Sequence, residues 1–291
     1  MSVYDWGKGS ARRRGAVRPS PLFLAVLAFT ALGGLIAWVF SDRGSRMGDF
    51  GVLLFVLGAW IVSVCLHEFA HAIVAYRAGD RSVESAGYLT LNPFKYTHPA
   101  LSIIFPLVAL VSGGFALPGG AVYLHPHLFR TKAQRSLAAA IGPLVNVALA
   151  IILIALAESQ LRAPESYLFN TFQFAGGGGV GPFVTDHLRF WSAVAFLGLL
   201  QVTAAFLNLL PIPGLDGWAI IEPYLSPETQ RGAEKVKPWG MLIVIVLLLS
   251  STTIRARFFE FVHAIYRALG GNDFFPALGY EFFKFWQKNP L

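Results

Sequence analysis

Three residues suited to chemistry lie close together in the sequence: His67, Glu68 and His71, in the run His-Glu-Phe-Ala-His. Residues four apart lie on one face of an α-helix, so both imidazoles can bind the same metal ion. Imidazole is a common zinc ligand, and a glutamate between two such ligands can take a proton from water. The spacing therefore predicts a hydrolytic zinc site with Glu68 as the general base.

The run stands near the end of an apolar stretch, residues 50–76. Ionisable residues are costly at membrane depth, and they usually mark a functional site there. The alternative is structural: the three side chains lie at a helix end and reach the interface between water and lipid. We predict that they form the site.

A catalytic zinc site has three protein ligands and one open position, so a third ligand must come from elsewhere in the chain. The single cysteine, Cys65, cannot supply a cysteine-based site, which leaves His, Asp or Glu. The candidate is Asp216, in residues 208–217, which follow another apolar run and are interrupted by prolines and glycines. The alternative is that Asp216 is an ordinary turn residue before Gly217.

The composition indicates an all-α polytopic membrane protein. Of 291 residues, 55% are hydrophobic and 13% are charged, whereas soluble domains carry about 25% charged residues. Runs long enough to cross a bilayer predict transmembrane helices. They comprise residues 22–40, 50–76, 137–157 and 190–210, with a shorter candidate at 239–254.

The chain divides into three parts by these patterns. Residues 1–21 form a basic N-terminus, residues 22–254 a transmembrane domain with its core at about 50–220, and residues 255–291 an amphipathic C-terminal tail. The charges of the tail recur at a roughly helical period, which predicts a helix in the membrane interface. Residues 100–117 are apolar but short and broken by proline and glycine, which predicts a re-entrant or kinked segment.

The net charge of +7 arises from basic residues near the N-terminus and between the apolar runs. This distribution is typical of membrane topology and lipid contact, and it excludes a nucleic-acid groove. It predicts a multi-pass protein of the plasma (inner) membrane, with the N-terminus in the cytoplasm. The zinc site then lies towards the cytoplasmic side.

Several motifs together resemble the site-2 protease family of intramembrane zinc metalloproteases. They are the HEFAH run at 67–71, the segment NLLPIPGLDG at 208–217, the segment GPLVN at 142–146, Leu91-Asn92-Pro93, and the Pro-Gly-rich passage before Leu124-His125-Pro126. The resemblance covers about residues 50–220. It is to the compact kind that lacks an inserted PDZ domain.

The resemblance implies a core of three transmembrane helices, with Zn²⁺ held by His67, His71 and Asp216 and with Glu68 as the catalytic base. It implies that Asn146 donates a hydrogen bond to the substrate or to an oxyanion, and the alternative is that Asn146 bonds a neighbouring helix. It also implies a short β-hairpin beside the re-entrant segment, to which an unwound substrate adds as a strand. The predicted substrate contacts are Gly119, Gly120, Ala121, Val122, Tyr123 and Asn208.

The chain departs from the family pattern at two places. Many relatives carry an acidic residue before the proline where this chain has His98, and many have Asn-Pro where it has His125-Pro126. The roles of His98, His125 and His127 stay open between polar groups near the site and solvated loop histidines.

The predicted function is therefore hydrolysis of peptide bonds in membrane-protein substrates, within or close to the bilayer. Relatives of this kind cut membrane-bound regulators such as anti-sigma factors, or signal-peptide remnants. Two alternatives stay open. One is a metal transporter, and the other is a catalytically silent membrane scaffold.

Overall fold

The structure is a computed structural model that describes residues 17–41, 45–96, 125, 128–161 and 186–287. Within these residues the regular structure is helical and contains no β-strand. The predicted β-hairpin, the re-entrant segment at 100–117, the five predicted contacts at 119–123, and His98 and His127 lie outside the described residues.

In the described part of the chain, four helices are long and apolar enough to cross a membrane. They are α1 (Pro21–Val39), α2 (Arg46–Ala78), α4 (Lys132–Gln160) and α5 (Leu188–Asn208). The shorter helices are α3 (Ser82–Ser85), α6 (Asp216–Ile221), α7 (Pro227–Glu234), α8 (Gly240–Ser250), α9 (Thr252–Ala268) and α10 (Phe274–Phe283). The four long helices confirm that the runs predicted as spans, 22–40, 50–76, 137–157 and 190–210, are helical over nearly all of their length.

Hydroxyl side chains begin three of the long helices. Ser20, Ser45 and Thr131 each accept a hydrogen bond from the backbone N–H three residues further on, at 3.1–3.2 Å. These bonds satisfy N–H groups that have no partner within the helix. α2 ends at Ala78, and the next residue, Gly79, has a φ of +120°, which a residue with a side chain rarely adopts.

Small residues allow α1 and α2 to pack backbone against backbone. A β-carbon on Gly33 would lie 2.5 Å from the backbone nitrogen of Phe55, and one on Gly51 would lie 2.5 Å from that of Ala37. In a membrane, such close contact between helices supplies the packing energy that apolar burial cannot. The glycines therefore fix α1 against α2, the helix that carries His67 and His71.

α5 is the central helix, and it contacts α2, α4 and α10. Its Phe196 and Leu200 share an apolar cluster with Val56 and Trp60 of α2 and with Phe283 of α10. By contrast, α1, α4 and α8 carry exposed leucines and isoleucines that suit contact with lipid tails. These include Leu24, Leu32, Leu35, Ile151, Ile152, Leu242, Ile243 and Leu249.

The C-terminal part differs from the sequence expectation in two ways. The candidate span at 239–254 is broken at Ser251, and the helices on either side, 237–250 and 252–268, meet at 105°. In the tail, α10 buries Phe275, Phe282 and Phe283 within the apolar core. The helical period of the tail's charges predicts a helix with one aromatic face. It does not indicate whether that face contacts lipid or protein.

A buried ion pair joins α2 and α5 at the end of the bundle opposite His67. Nε of Arg189 donates to Oδ1 of Asp49 at 2.8 Å, and both side chains are at most 10% exposed. Nη1 of Arg189 also donates to the carbonyl of Ser41. Eighteen residues separate Asp49 from His67 along α2, which corresponds to about 27 Å. This ion pair therefore lies far from the two histidines of α2.

Candidate metal centre

The two histidines of the HEFAH run lie on one face of α2 and point to the same place. Nε2 of His67 and Nε2 of His71 are 3.0 Å apart, and both residues are buried. The four-residue spacing on a helix produces this geometry directly. Glu68 lies in the same turn of α2 and is 3% exposed.

Asp216 meets the histidines from the other side. Its Oδ2 lies 3.1 Å from Nε2 of His67 and 3.4 Å from Nε2 of His71. Burial alone raises the pKa of the Asp216 carboxyl, but His71 and His67 beside it reverse this shift and hold the pKa below its ordinary range. The structure therefore brings together the three predicted metal ligands, which stand up to 149 positions apart.

A tight turn places Asp216 at the first position of α6. The chain turns at Gly214, which has a φ of +101°. A β-carbon on Gly217 would overlap the backbone carbonyl of Leu209, because the segment folds back on the end of α5. The glycines of the PGLDG sequence thus allow the return of the chain that brings Asp216 to α2.

The three donor atoms fit a tetrahedral zinc ion. They lie 3.0, 3.1 and 3.4 Å from one another. Bonds of about 2.0–2.1 Å at tetrahedral angles place ligand atoms about 3.3 Å apart. Among the described residues, this is the one group of His, Cys, Asp or Glu side chains that could hold a metal ion.

Gly142 of α4 leaves the space in front of the two ring nitrogens open. A β-carbon on Gly142 would overlap Nε2 of His71 and would lie 2.7 Å from Nε2 of His67. The space in front of Nε2 of His67 and Nε2 of His71 is the metal cradle. Gly142, from the Gly-Pro-x-x-Asn segment, forms one wall of this cradle, and no larger residue fits there.

α4 also fixes the orientation of both imidazole rings. Nδ1 of His71 donates to the backbone carbonyl of Ala138 at 2.6 Å, and Nδ1 of His67 is 2.5 Å from Oδ1 of Asn146. Zinc-binding histidines regularly bond a neighbour through the ring nitrogen that does not face the metal. Here both Nδ1 atoms are bonded in this way, so both Nε2 atoms face the cradle.

The other predicted residues lie as follows. Asn146 is buried between His67 and Gln201, and its Nδ2 donates to Oε1 of Gln201 at 2.7 Å. Asn208 is the buried last residue of α5, eight positions before Asp216. His125 contacts Asp80, which follows α2, and Ser82, the first residue of α3.

The sequence analysis missed two polar residues behind the site, Gln201 and Ser63. Both are buried, and Nε2 of Gln201 donates to Oγ of Ser63 at 3.0 Å. A glutamine in the middle of an apolar span was the available signal, because polar groups at this depth need partners.

Ion pairs hold α6 in place. Glu222 follows α6 directly, is 3% exposed, and binds both Nη2 of Arg135 and Nζ of Lys237 at 2.5 Å. Oγ of Ser136 also donates to the carbonyl of Ile220 at 2.6 Å. The start of α4 is thereby fastened to the segment that carries Asp216.

Comparison with known proteins identifies the class to which this fold and site belong. The model of Peptidase family M50 matches residues 55–251, a range that contains His67, His71 and Asp216. The chain belongs to this family, the site-2 proteases, as its motifs indicated. It is a multi-pass membrane protein and a zinc metalloprotease.

Several curated relatives are similar over most of their length, and each is named a putative zinc metalloprotease. Rip2 of Mycolicibacterium smegmatis is 44% identical over 94% of this chain and 96% of its own. Rip2 of Mycobacterium tuberculosis is 41% identical over the same shares. YwhC of Bacillus subtilis is 31% identical over 65% of this chain and 78% of its own. No solved structure matches the chain.

Proposed function

We propose that His67, His71 and Asp216 hold the catalytic zinc ion of this protease and that Glu68 is its general base. The observation that carries the proposal is the convergence of three donor atoms, 3.0–3.4 Å apart, on the space left by Gly142. Any residue with a β-carbon at position 142 would close the space in front of the two ring nitrogens.

The residues divide the work of peptide hydrolysis. When bound, zinc supplies a Lewis acid that polarises the scissile carbonyl and lowers the pKa of water. Glu68 takes a proton from the attacking water and passes it to the nitrogen of the leaving amine. Asn146 positions His67 through its Oδ1. The contact of Asn146 with substrate or oxyanion, which the family resemblance implies, stays a prediction.

We place the site towards the cytoplasmic side of the plasma membrane, with the N-terminus in the cytoplasm. What supports this orientation is the position of the basic residues. Arg77 lies in the last turn of α2, and Arg135 and Lys237 share Glu222 close to α6. Loops rich in lysine and arginine stay on the cytoplasmic side.

The proposed substrates are membrane-protein segments, with membrane-bound regulators such as anti-sigma factors and signal-peptide remnants as candidate classes. A helix hides its peptide bonds in its own hydrogen bonds, so a substrate span must unwind before cleavage. We therefore expect helix-breaking residues near the cut to raise the rate. An unchanged rate after their insertion into a substrate span would contradict this expectation.

The alternatives of metal transporter and silent scaffold are less well supported. Membership of a peptidase family favours hydrolysis. A scaffold would have no use for a buried Glu68 beside three converging donor atoms.

The test compares the wild-type protein with Glu68→Gln, both purified in detergent. Elemental analysis measures bound zinc, and gel electrophoresis measures cleavage of a transmembrane substrate. We expect zinc in both proteins and a loss of cleavage by a factor of about 10²–10⁴ in the variant, the usual contribution of a general base.

Glu260→Gln is the matched control, because Glu260 is an exposed glutamate of α9. It should retain both zinc and cleavage. Equal cleavage by wild type and Glu68→Gln would overturn the role of Glu68, and absence of zinc from both would overturn the site. Zinc without cleavage in either protein would favour a scaffold or a transporter.

A further inference from the structure

We propose that Ser63 and Gln201 are positioning residues that act through Asn146 to keep the proton of His67 on Nδ1, so that Nε2 is free for zinc. The proposal rests on the proposed function, since it concerns the same metal ligand. It assigns a task to two buried residues that lie outside the recognised motifs.

The four side chains form one continuous line of hydrogen bonds across three helices. It runs from His67 on α2 to Asn146 on α4 (2.5 Å), to Gln201 on α5 (2.7 Å), and back to Ser63 on α2 (3.0 Å). Oγ of Ser63 then donates to the backbone carbonyl of Trp60 at 2.8 Å. All four side chains belong to buried residues, with exposures of 1–6%.

The carbonyl of Trp60 determines the direction of this line because it can only accept. The hydroxyl of Ser63 therefore donates its proton to the Trp60 carbonyl. Its oxygen must then accept a hydrogen bond from Nε2 of Gln201. Oε1 of Gln201 then faces Asn146 and accepts from its Nδ2. That leaves Oδ1 of Asn146 towards His67, so Nδ1 of His67 must carry the proton.

The opposite direction would disable the ligand. If Nδ2 of Asn146 faced His67, the imidazole would accept at Nδ1 and carry its proton on Nε2. That proton would point at Oδ2 of Asp216, 3.1 Å away, and Nε2 could not bind a metal ion. Without a metal ion, the carboxylate of Asp216 would favour this arrangement, because it attracts an N–H at Nε2 of His67 and repels a lone pair there.

His71 shows why His67 alone needs such a line. Nδ1 of His71 bonds the carbonyl of Ala138, and a carbonyl cannot reverse its role. The partner of His67 is a carboxamide, which can present either its oxygen or its nitrogen. Gln201 and Ser63 remove that ambiguity.

The experiment measures the zinc affinity of the full-length protein in detergent by competition with a chromophoric chelator. Gln201→Leu removes both hydrogen bonds at similar volume, and Ser63→Ala removes the acceptor that orients Gln201. We expect zinc to bind about tenfold more weakly to Gln201→Leu, at the lower end of the 10–100-fold range for residues behind a metal ligand. Ser63→Ala should weaken binding in the same direction and by less.

Thr203→Val is the matched control. Thr203 is buried on the same helix, and its hydroxyl bonds the carbonyl of Leu199, outside the line to His67. It should leave zinc affinity within twofold of wild type. An equal loss of affinity in Thr203→Val and Gln201→Leu would overturn the proposal, because it would reflect general loosening of α5.

A second background separates orientation from packing. In Asn146→Asp the group facing His67 can only accept, so the direction no longer depends on Gln201. We therefore expect Gln201→Leu to have less than a twofold effect on zinc affinity in this background. A tenfold effect that persists there would overturn the proposal. Absence of zinc from the wild-type protein would instead overturn the proposed function, so the two failures are distinguishable.

Discussion

A β-carbon on Gly142 would overlap Nε2 of His71, so α4 passes close to this imidazole. α2 and α4 thus approach each other at the proposed metal site. Both ring nitrogens need this space, because the same β-carbon would also lie 2.7 Å from Nε2 of His67. The contact explains in physical terms why a glycine precedes Pro143.

Gly142→Ala should therefore abolish zinc binding. The added methyl group occupies the position that a ligand–metal bond requires, and neither histidine can move without leaving its Nδ1 partner. Elemental analysis of the purified variant tests this. Gly198→Ala is the control, because a β-carbon there would lie 3.0 Å from a side-chain carbon of Ile154, which can shift. Full zinc occupancy in Gly142→Ala would contradict the position of the metal.

Glu222→Gln should lower the free energy of unfolding by about 1–3 kcal/mol, because charged partners lose their hydrogen bonds. Arg135 and Lys237 would then face each other without the buried carboxylate between them. Zinc affinity should fall as well, since Glu222 fastens the helix that begins with Asp216. Thermal unfolding in detergent and chelator competition measure the two effects.

Glu234→Gln is the control for this change. Glu234 binds the same Lys237, but its side chain is 65% exposed. Exposed pairs contribute little, about 0–1 kcal/mol. If both glutamine variants unfold alike, the burial of Glu222 carries no special stability.

The ion pair of Asp49 and Arg189 should matter for stability and not for the metal. Removing one partner leaves a buried charge and costs about 3–5 kcal/mol. Asp49→Leu should therefore be strongly destabilised, and the double variant Asp49→Leu/Arg189→Leu should recover part of the loss. A thermal double-mutant cycle measures the recovery. A changed zinc affinity in the folded double variant would show that the ion pair and the proposed metal site are not independent.

Stability should also depend on pH through Asp80. Burial raises the pKa of this carboxyl, but hydrogen bonds from the Ser82 hydroxyl and from the backbone N–H groups of His125 and Ser82 outweigh burial and hold the pKa below its ordinary value. The contribution is therefore fully present above the pKa of the unfolded chain, about 3.9, and is lost as pH falls through the folded pKa.

Melting temperatures of wild type and Asp80→Asn, measured in detergent from pH 7 down to pH 3, test this linkage. The wild type should melt higher above about pH 5, with a gap that narrows below pH 4 as the native carboxylate takes up its proton. A gap that is constant over the whole range would show that ionisation of Asp80 contributes nothing.

The sequence predicts the parts of this molecule that depend on local pattern. The long spans follow from apolar runs, and the pairing of His67 with His71 follows from helical spacing. Asp216 was found because a zinc site needs a third ligand and because its segment is broken by proline and glycine. In each case the feature is visible within a short segment of sequence: an apolar run, a four-residue spacing, or a break by proline and glycine.

What the sequence did not predict depends on contacts between distant elements. The pair Asp49–Arg189 was missed because each residue stands at the edge of an apolar run, where charges usually reach water. Gln201 lies within residues 190–210, whose apolar composition predicts an ordinary span. The burial of α10 was missed because its aromatic face suits lipid as well as protein. Such partners become visible only once the helices are packed.

The line of hydrogen bonds that begins at His67 returns to α2 at Ser63 after crossing α4 and α5. The line starts and ends on α2, so α4 and α5 must both be docked against α2 before it is complete. If His67 binds zinc as proposed, metal loading follows assembly of the bundle, and a chain whose α5 is misplaced lacks an oriented ligand. The zinc content of a preparation then reports how much of the protein has matured.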